Sequence, residues 1–215
     1  VHCRYCFRRH FPYADNNPGR AGWADALTYI QADPSIHEVI LSGGDPLLAP
    51  DATLQFLIHA LEAIPHVHTL RIHTRLPVVL PERIDTHFCA LLSASRFQRV
   101  VVLHANHATE LSHTVQEACQ ALHQAGCHVL NQSVLLAGVN DSIDALVALS
   151  KRLWDCGVLP YYLHALDKVD GAAHFSVSEL AMRALLTALP AHLPGYLVPR
   201  FVQEVPGAKS KLLVK

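Results

Sequence analysis

Charge is scarce in this sequence. Only 16% of its residues are Asp, Glu, Lys or Arg, and 17 basic side chains against 18 acidic ones leave a formal charge of -1. So even a balance carries no global signature of nucleic-acid or anionic-membrane binding, and any anion must be held by local basic clusters. No stretch approaches the roughly 18 continuous apolar residues of a membrane span, and the first residues form neither a charged leader nor an apolar signal core. These absences predict a soluble, cytoplasmic protein with no membrane and no nucleic-acid partner. Low-complexity segments and linkers are missing too, as are a second C-x2-C pair and any H-E-x-x-H, so neither a four-ligand zinc site nor a zincin helix is encoded.

Apolar residues, by contrast, make up 51% of the 215 positions, enough for one domain with a well-buried core. Cys89, Cys119, Cys127 and Cys156 are scattered singly through apolar patterns and read as reduced, buried thiols. Strand-like runs at 37–43, 69–75, 99–106, 128–136 and 159–166 alternate with helical patterns near 22–32, 51–64, 82–94, 109–125, 141–156 and 177–189. Strand then helix, repeated, predicts parallel strands joined by helical crossovers. Asp51 and Asp141 are placed to open helices, and Gly126 and Gly157 to close them. Polar residues gather just after the strand ends, at Ser42 to Asp45, His73 to Arg75, His104 to His107, Gln132 to Ser133 and His164 to Asp167. Convergence from five strands favours a (β/α) barrel rim over a doubly wound open sheet. The tail VPGAKSKLLVK loses the alternation and predicts a flexible end.

The opening VHCRYCFRRHFPY sets Cys3 and Cys6 three apart, with basic residues close behind. A redox pair, half a zinc site and part of an iron–sulfur loop all begin this way. Arg4–Tyr5 is a poor redox spacer, and zinc has no second ligand pair here.

HCRYCFRRHFPY resembles the C-x3-C-x2-C loop of radical S-adenosylmethionine enzymes, with the first cysteine falling two positions ahead of Val1. SGGDPLL (42–48), HTRLPVVLPERI (73–84), HANHATEL (104–111), NQSVLLAGVNDS (131–142), PYYLHALDKVDGAAHF (160–175) and GYLVPR (195–200) resemble, in order, blocks of the lysine 2,3-aminomutase family. The resemblance implies a partial (β/α) TIM-like barrel spanning 1–215 as a single domain, truncated just inside the cluster motif. It also implies a radical 1,2-amino shift on lysine that uses a [4Fe–4S] cluster, S-adenosylmethionine and pyridoxal 5′-phosphate, with flavodoxin or ferredoxin as electron donor.

Carried over residue by residue, the resemblance makes Cys3 and Cys6 cluster ligands and sets Tyr5 beside cluster and adenine. Ser42, Gly43, Gly44 and Asp45 would line the methionine amino group, with Asn106, His107 and Gln132 as further partners of the adenosylmethionine. Arg75 is a charged rim residue suited to a phosphate or carboxylate. Arg8 would clamp the substrate carboxylate with its guanidinium fork, Arg4 and Arg9 would serve the pyridoxal phosphate or solvate the loop, and Asp167 and Glu204 would receive the distal ammonium of lysine. Lys211 aligns with the pyridoxal lysine, Lys209 being its rival, although Leu212 stands where the family has proline. FRRHFPY and DKVDGAAHF look most like the short bacterial enzyme that makes (R)-β-lysine for elongation factor P. A catabolic lysine aminomutase and a barrel that binds cluster or adenosylmethionine without turnover are the alternatives.

Overall fold

The computed structural model describes residues 3–6, 19–205, 207–208 and 210–214. Arg8, Arg9 and Lys209 lie outside the described residues. Among the described residues seven α-helices, α1 (Gly19–Ala32), α2 (Asp51–Glu62), α3 (Leu76–Val79), α4 (Thr86–Ala94), α5 (His113–Gln124), α6 (Ile143–Asp155) and α7 (Glu179–Ala188), are interleaved with seven strands. The strands are β1 (Glu38–Leu41), β2 (Thr69–Thr74), β3 (Gln98–His104), β4 (Cys127–Val134), β5 (Leu159–His164), β6 (Arg200–Gln203) and β7 (Leu212–Leu213). In the sheet they follow one another in chain order. The first six pair in parallel and β7 turns back antiparallel onto β6.

Sequential order decides the architecture: a doubly wound sheet reverses direction partway, whereas here every crossover steps the same way. The result is a partial (β/α) barrel, an open curled wall with helices outside. Its main core lies between sheet and helices, where Leu54 and Ile58 of α2, Phe88 and Leu92 of α4 and Leu122 of α5 pack on Ile72, Val101 and Val129. A smaller core joins Leu163 of β5 to Phe201 of β6 and Leu189 after α7. Burying each such side chain contributes about 1.5–3 kcal/mol.

Three local expectations are corrected. Asp51 is the first residue of α2 and makes no cap; its carboxylate instead accepts from Arg83 Nη2 at 2.5 Å and meets His87 Nδ1 at 2.8 Å, tying α2 to α4. The cap of α6 is Ser142, whose Oγ accepts from the Ala145 N–H at 3.2 Å, while Asp141 accepts from the Gly138 N–H at 3.0 Å. Asp and Ser compete for the same orphan amides, and the residue next to the first turn wins. Within the tail Leu212 and Leu213 are not loose either, because they pair with Gln203 and Val202. Gly126 and Gly157 do follow α5 and α6 with positive φ, 76° and 74°.

One irregularity matters for the rim. Between Asn131 and Gln132 the pairing with β5 shifts, so Pro160 and Tyr162 become successive partners and Tyr161 is bulged out. A bulge reverses the in-out alternation beyond it and thereby re-aims the end of β5. Among the described residues no helix is long and apolar enough to cross a membrane.

Candidate functional site

A cavity of about 450 Å³ opens at the C-terminal ends of the strands. That volume lies within the usual range for a cofactor pocket, and the barrel end at which it sits is the one where loops converge. Its wall takes Cys3, Tyr5 and Cys6 from the first loop and Ser42 to Asp45 from the turn after β1. His73 comes from β2 and Arg75 from just after it, His104 from β3, Gln132 from β4, His164 from β5 and Asp167 from the loop beyond, and Glu204 and Lys211 flank the step from β6 to β7.

The two cysteines form a tight turn, with the Cys6 N–H on the Cys3 carbonyl at 3.1 Å. Both are free thiols. Between them Tyr5 reaches down to the rim, where its phenol meets His104 Nε2 at 2.7 Å and accepts from Asn106 Nδ2 at 2.5 Å and Arg75 Nη1 at 3.1 Å. With two donors already on that oxygen, the phenol gives its own proton to His104, so the imidazole must be neutral at Nε2. Burial, helped by the positive Arg75, pushes His104 down to about 3, in keeping with that tautomer. Burial and the neighbouring Cys3 push Tyr5 up to about 12.

Arg75 is tied through its main chain and both Nη groups. Its main-chain N–H binds Asp45 Oδ2 at 2.7 Å, Nη1 lies 3.0 Å from Cys3 Sγ, and Nη2 pairs with Glu110 Oε2 at 2.7 Å. Burial opposes its charge, but Tyr5, Cys3 and Glu110 outweigh that and hold the guanidinium charged well above its ordinary range. Arg75 is thus no free anion-facing rim residue. Asp45 is likewise committed: it caps the short turn at Pro46–Leu48 and accepts from Thr74 Oγ1 at 2.7 Å.

Gly43 has φ of 122°, a backbone state that only glycine adopts readily. Gly44 has no such demand, and a Cβ there would meet nothing within 4 Å. Neither conformation nor packing within the chain accounts for glycine at 44; the room above it belongs to the cavity.

At the opposite wall Lys211 Nζ is ion-paired with Glu204. Burial and repulsion by Glu204 push Asp167 above its usual range, with Lys211 opposing. Burial and Lys211 lower His164 to about 4, Glu204 opposing, so it too is neutral. This end therefore holds two carboxylates against one amine.

Of the residues singled out in the sequence, Cys3, Cys6, Tyr5, Ser42, Gly43, Gly44, Asp45, Arg75, Gln132, Asp167, Glu204 and Lys211 share this one cavity. Asn106 and His107 are not among the residues that line it. Asn106 is 3% exposed and accepts from the Val134 N–H at 2.8 Å, placing it behind the wall under Tyr5. His107 turns onto Thr109, accepting from its N–H at 3.3 Å to cap the turn Ala108–Glu110. The sequence reading gave no role to His73, His104 or His164, which end β2, β3 and β5 on the inward face. Their common signal is a histidine at the last inward position of three strands, and Gln132 completes the row, its Nε2 lying 3.5 Å from His73 Nδ1.

No protein-family model matches the chain. In sequence it is 51% identical over 213 residues to the L-lysine 2,3-aminomutase of Haemophilus influenzae, covering 99% of this chain and 63% of the relative. The chain is a homologue of the lysine 2,3-aminomutases. The L-lysine 2,3-aminomutase of Escherichia coli K12 is 50% identical over 211 residues, 98% of this chain and 62% of the relative. The chain thus spans a little under two thirds of the length of these aminomutases. In fold it is similar to Streptococcus suis SuiB crystallised with S-adenosylmethionine, with a TM-score of 0.61 at 16% identity over 94% of this chain and 47% of that one. A radical SAM methyltransferase from Sphaerobacter thermophilus gives a TM-score of 0.53 at 20% identity, over 77% and 51%.

The donor set is compatible with an iron–sulfur cluster. Among the described residues no three His, Cys, Asp or Glu side chains are grouped to hold a single metal. Two free thiols lie on one cavity wall, one receiving an N–H bond, and thiolates are the ligands that iron–sulfur clusters take.

Proposed function

We propose that the protein is a radical aminomutase that converts L-lysine to β-lysine, with a [4Fe–4S] cluster, S-adenosylmethionine and pyridoxal 5′-phosphate as cofactors. The observation that carries the reading is that Cys3 and Cys6, near one end of the sequence, and Lys211, near the other, line a single cavity together with Asp167 and Glu204. When bound, the cluster and adenosylmethionine supply the radical initiator, and pyridoxal phosphate supplies the carbonyl that captures the migrating amine.

The chain's own share is binding and orientation. Cys3 and Cys6 would hold the cluster, Tyr5, Ser42, Gly43, Gly44 and Gln132 would wall the adenosylmethionine, and Lys211 would carry the pyridoxal group. Asp45 would act through Thr74 and Arg75, and Asn106 from behind through Tyr5. Arg8, by the sequence resemblance, would take the substrate carboxylate. Asp167 and Glu204 against Lys211 leave one negative charge over, which a substrate ammonium balances and an acidic side chain would aggravate. A flavodoxin or ferredoxin would deliver the electron in a cytoplasmic setting, and the resemblance of the first loop directs the product to elongation factor P.

The deciding experiment incubates reduced, full-length protein with L-lysine and adenosylmethionine and looks for β-lysine by mass spectrometry. Product that depends on both small cofactors is expected; cofactor binding with no product would leave a non-catalytic barrel. Gly44→Val should keep the fold and its thermal midpoint but weaken adenosylmethionine about tenfold or more, because the added methyl groups overpack the occupied cavity. Equilibrium binding reads it.

Asp167 supplies a pH test. Because its carboxyl is held above the usual range, it becomes neutral as pH falls through that raised pKa, and the substrate ammonium loses a partner. The KM for lysine should rise in that direction. Asp167→Asn should start about tenfold higher, the weight of one charged hydrogen bond, and stay level across the same window.

A further inference from the structure

We propose that Arg75 is a positioning residue for the cluster: held from behind by Glu110, it donates to the Cys3 sulfur and raises the reduction potential of the cluster bound there. The inference rests on the reading of Cys3 as a cluster ligand and adds to it a partner that sequence had assigned to a different task.

Glu110 is immobilised first. Its Oε1 accepts the main-chain N–H groups of Asn106 at 2.7 Å and His107 at 3.0 Å, closing the turn after β3. That leaves Oε2 to pair with Arg75 Nη2 at 2.7 Å, in an ion pair whose side chains are 21% and 23% exposed. The other arm of the guanidinium is thereby turned toward the cavity, where Nη1 reaches Cys3 Sγ at 3.0 Å and the Tyr5 phenol at 3.1 Å.

A comparison within the same chain shows what is unusual. Arg96 spends its donors on the main-chain carbonyls of Glu62, Ile64 and Val67, which is how an arginine glues loops together. Among the described residues Arg75 gives no side-chain hydrogen bond to any main-chain carbonyl, and its Nε is buried without a hydrogen-bond partner, as are those of Arg71 and Arg99. A buried, unsatisfied N–H costs stability. The arginine therefore gives up a bond of its own while its two Nη groups link a carboxylate to a sulfur and a phenol.

An N–H bond to a ligating sulfur and a full positive charge beside it both favour the electron-richer state of a cluster, since hydrogen bonds to sulfur and net charge are among the levers that set its potential. Only a forked side chain reaches Glu110 and Cys3 at once. Lysine would bring the charge without the second arm.

The test is a redox titration of anaerobically reconstituted, full-length protein, followed by electron paramagnetic resonance, for the parent, Arg75→Met and Arg75→Lys. In Arg75→Met the ratio of reduced to oxidised cluster at a fixed applied potential should fall about tenfold, which for a one-electron couple is a drop of about 59 mV. Arg75→Lys should recover part of that shift. Normal iron content with an unmoved midpoint in both variants would overturn the inference. So would failure of both to take up iron while the parent does, because the arginine would then serve only the folding of the loop. A parent that binds no reducible cluster would overturn the proposed function itself, a result distinguishable from the other two.

Discussion

Replacing Lys211 with alanine is expected to reduce β-lysine formation by roughly 10⁴-fold or more, the scale on which removal of a covalent participant acts. Lys211 is the only lysine on the cavity wall among the described residues. The loss should be separable by spectrum: absorbance in the imine region should vanish on adding pyridoxal phosphate, while iron uptake at Cys3 and Cys6 continues. The same change removes the cation that restrains Asp167 and depresses His164, so both groups should titrate at higher pH in the variant. Unchanged pyridoxal binding by Lys211→Ala would transfer the role to Lys209.

Asn140→Leu should cost roughly 3 to 5 kcal/mol of folding free energy, from three buried main-chain groups left without partners at about 1–3 kcal/mol each, softened by relaxation. Asn140 is 0% exposed. Its Oδ1 accepts from the Leu136 N–H at 2.8 Å, and its Nδ2 donates to the carbonyls of Asn106 and Val134, both at 2.9 Å. Leucine matches the volume and satisfies none of these. Urea denaturation measures the loss, and because Asn106 in turn supports Tyr5, the first loop should loosen before the barrel does.

The fold was readable because its two periods are far apart: apolar runs in β2 to β5 and longer amphipathic stretches in α2, α5 and α6 can hardly be confused. What escaped was short. β6 has four residues and β7 two, too few for any alternation to register, and Lys211 is set on the rim by a pairing of Val202 with Leu213 that no local pattern announces. The candidate site was readable wherever a residue faces the cavity from its own strand end, as with Gln132 or Asp167. It was not readable where a side chain is defined by partners far along the chain. Arg75 looked like a residue awaiting an anion, yet its anion, Glu110, is 35 positions away, and its sulfur is 72 away. Asn106 looked like a ligand contact, yet its amide is consumed by Val134 and Tyr5.

Because one wall of the pocket is made by Cys3 and another by Lys211, the chamber cannot exist until synthesis has passed Lys211. The crossovers step in one direction, so a nascent chain can lay down β1 to β5 in order while its first sulfurs still lack their final wall. Iron delivery to the proposed cluster would then follow closure of that wall. In that interval the thiols are open to oxidation, which would make the yield of protein carrying the proposed cluster depend on how quickly β7 pairs with β6 and how little oxygen the cell holds meanwhile.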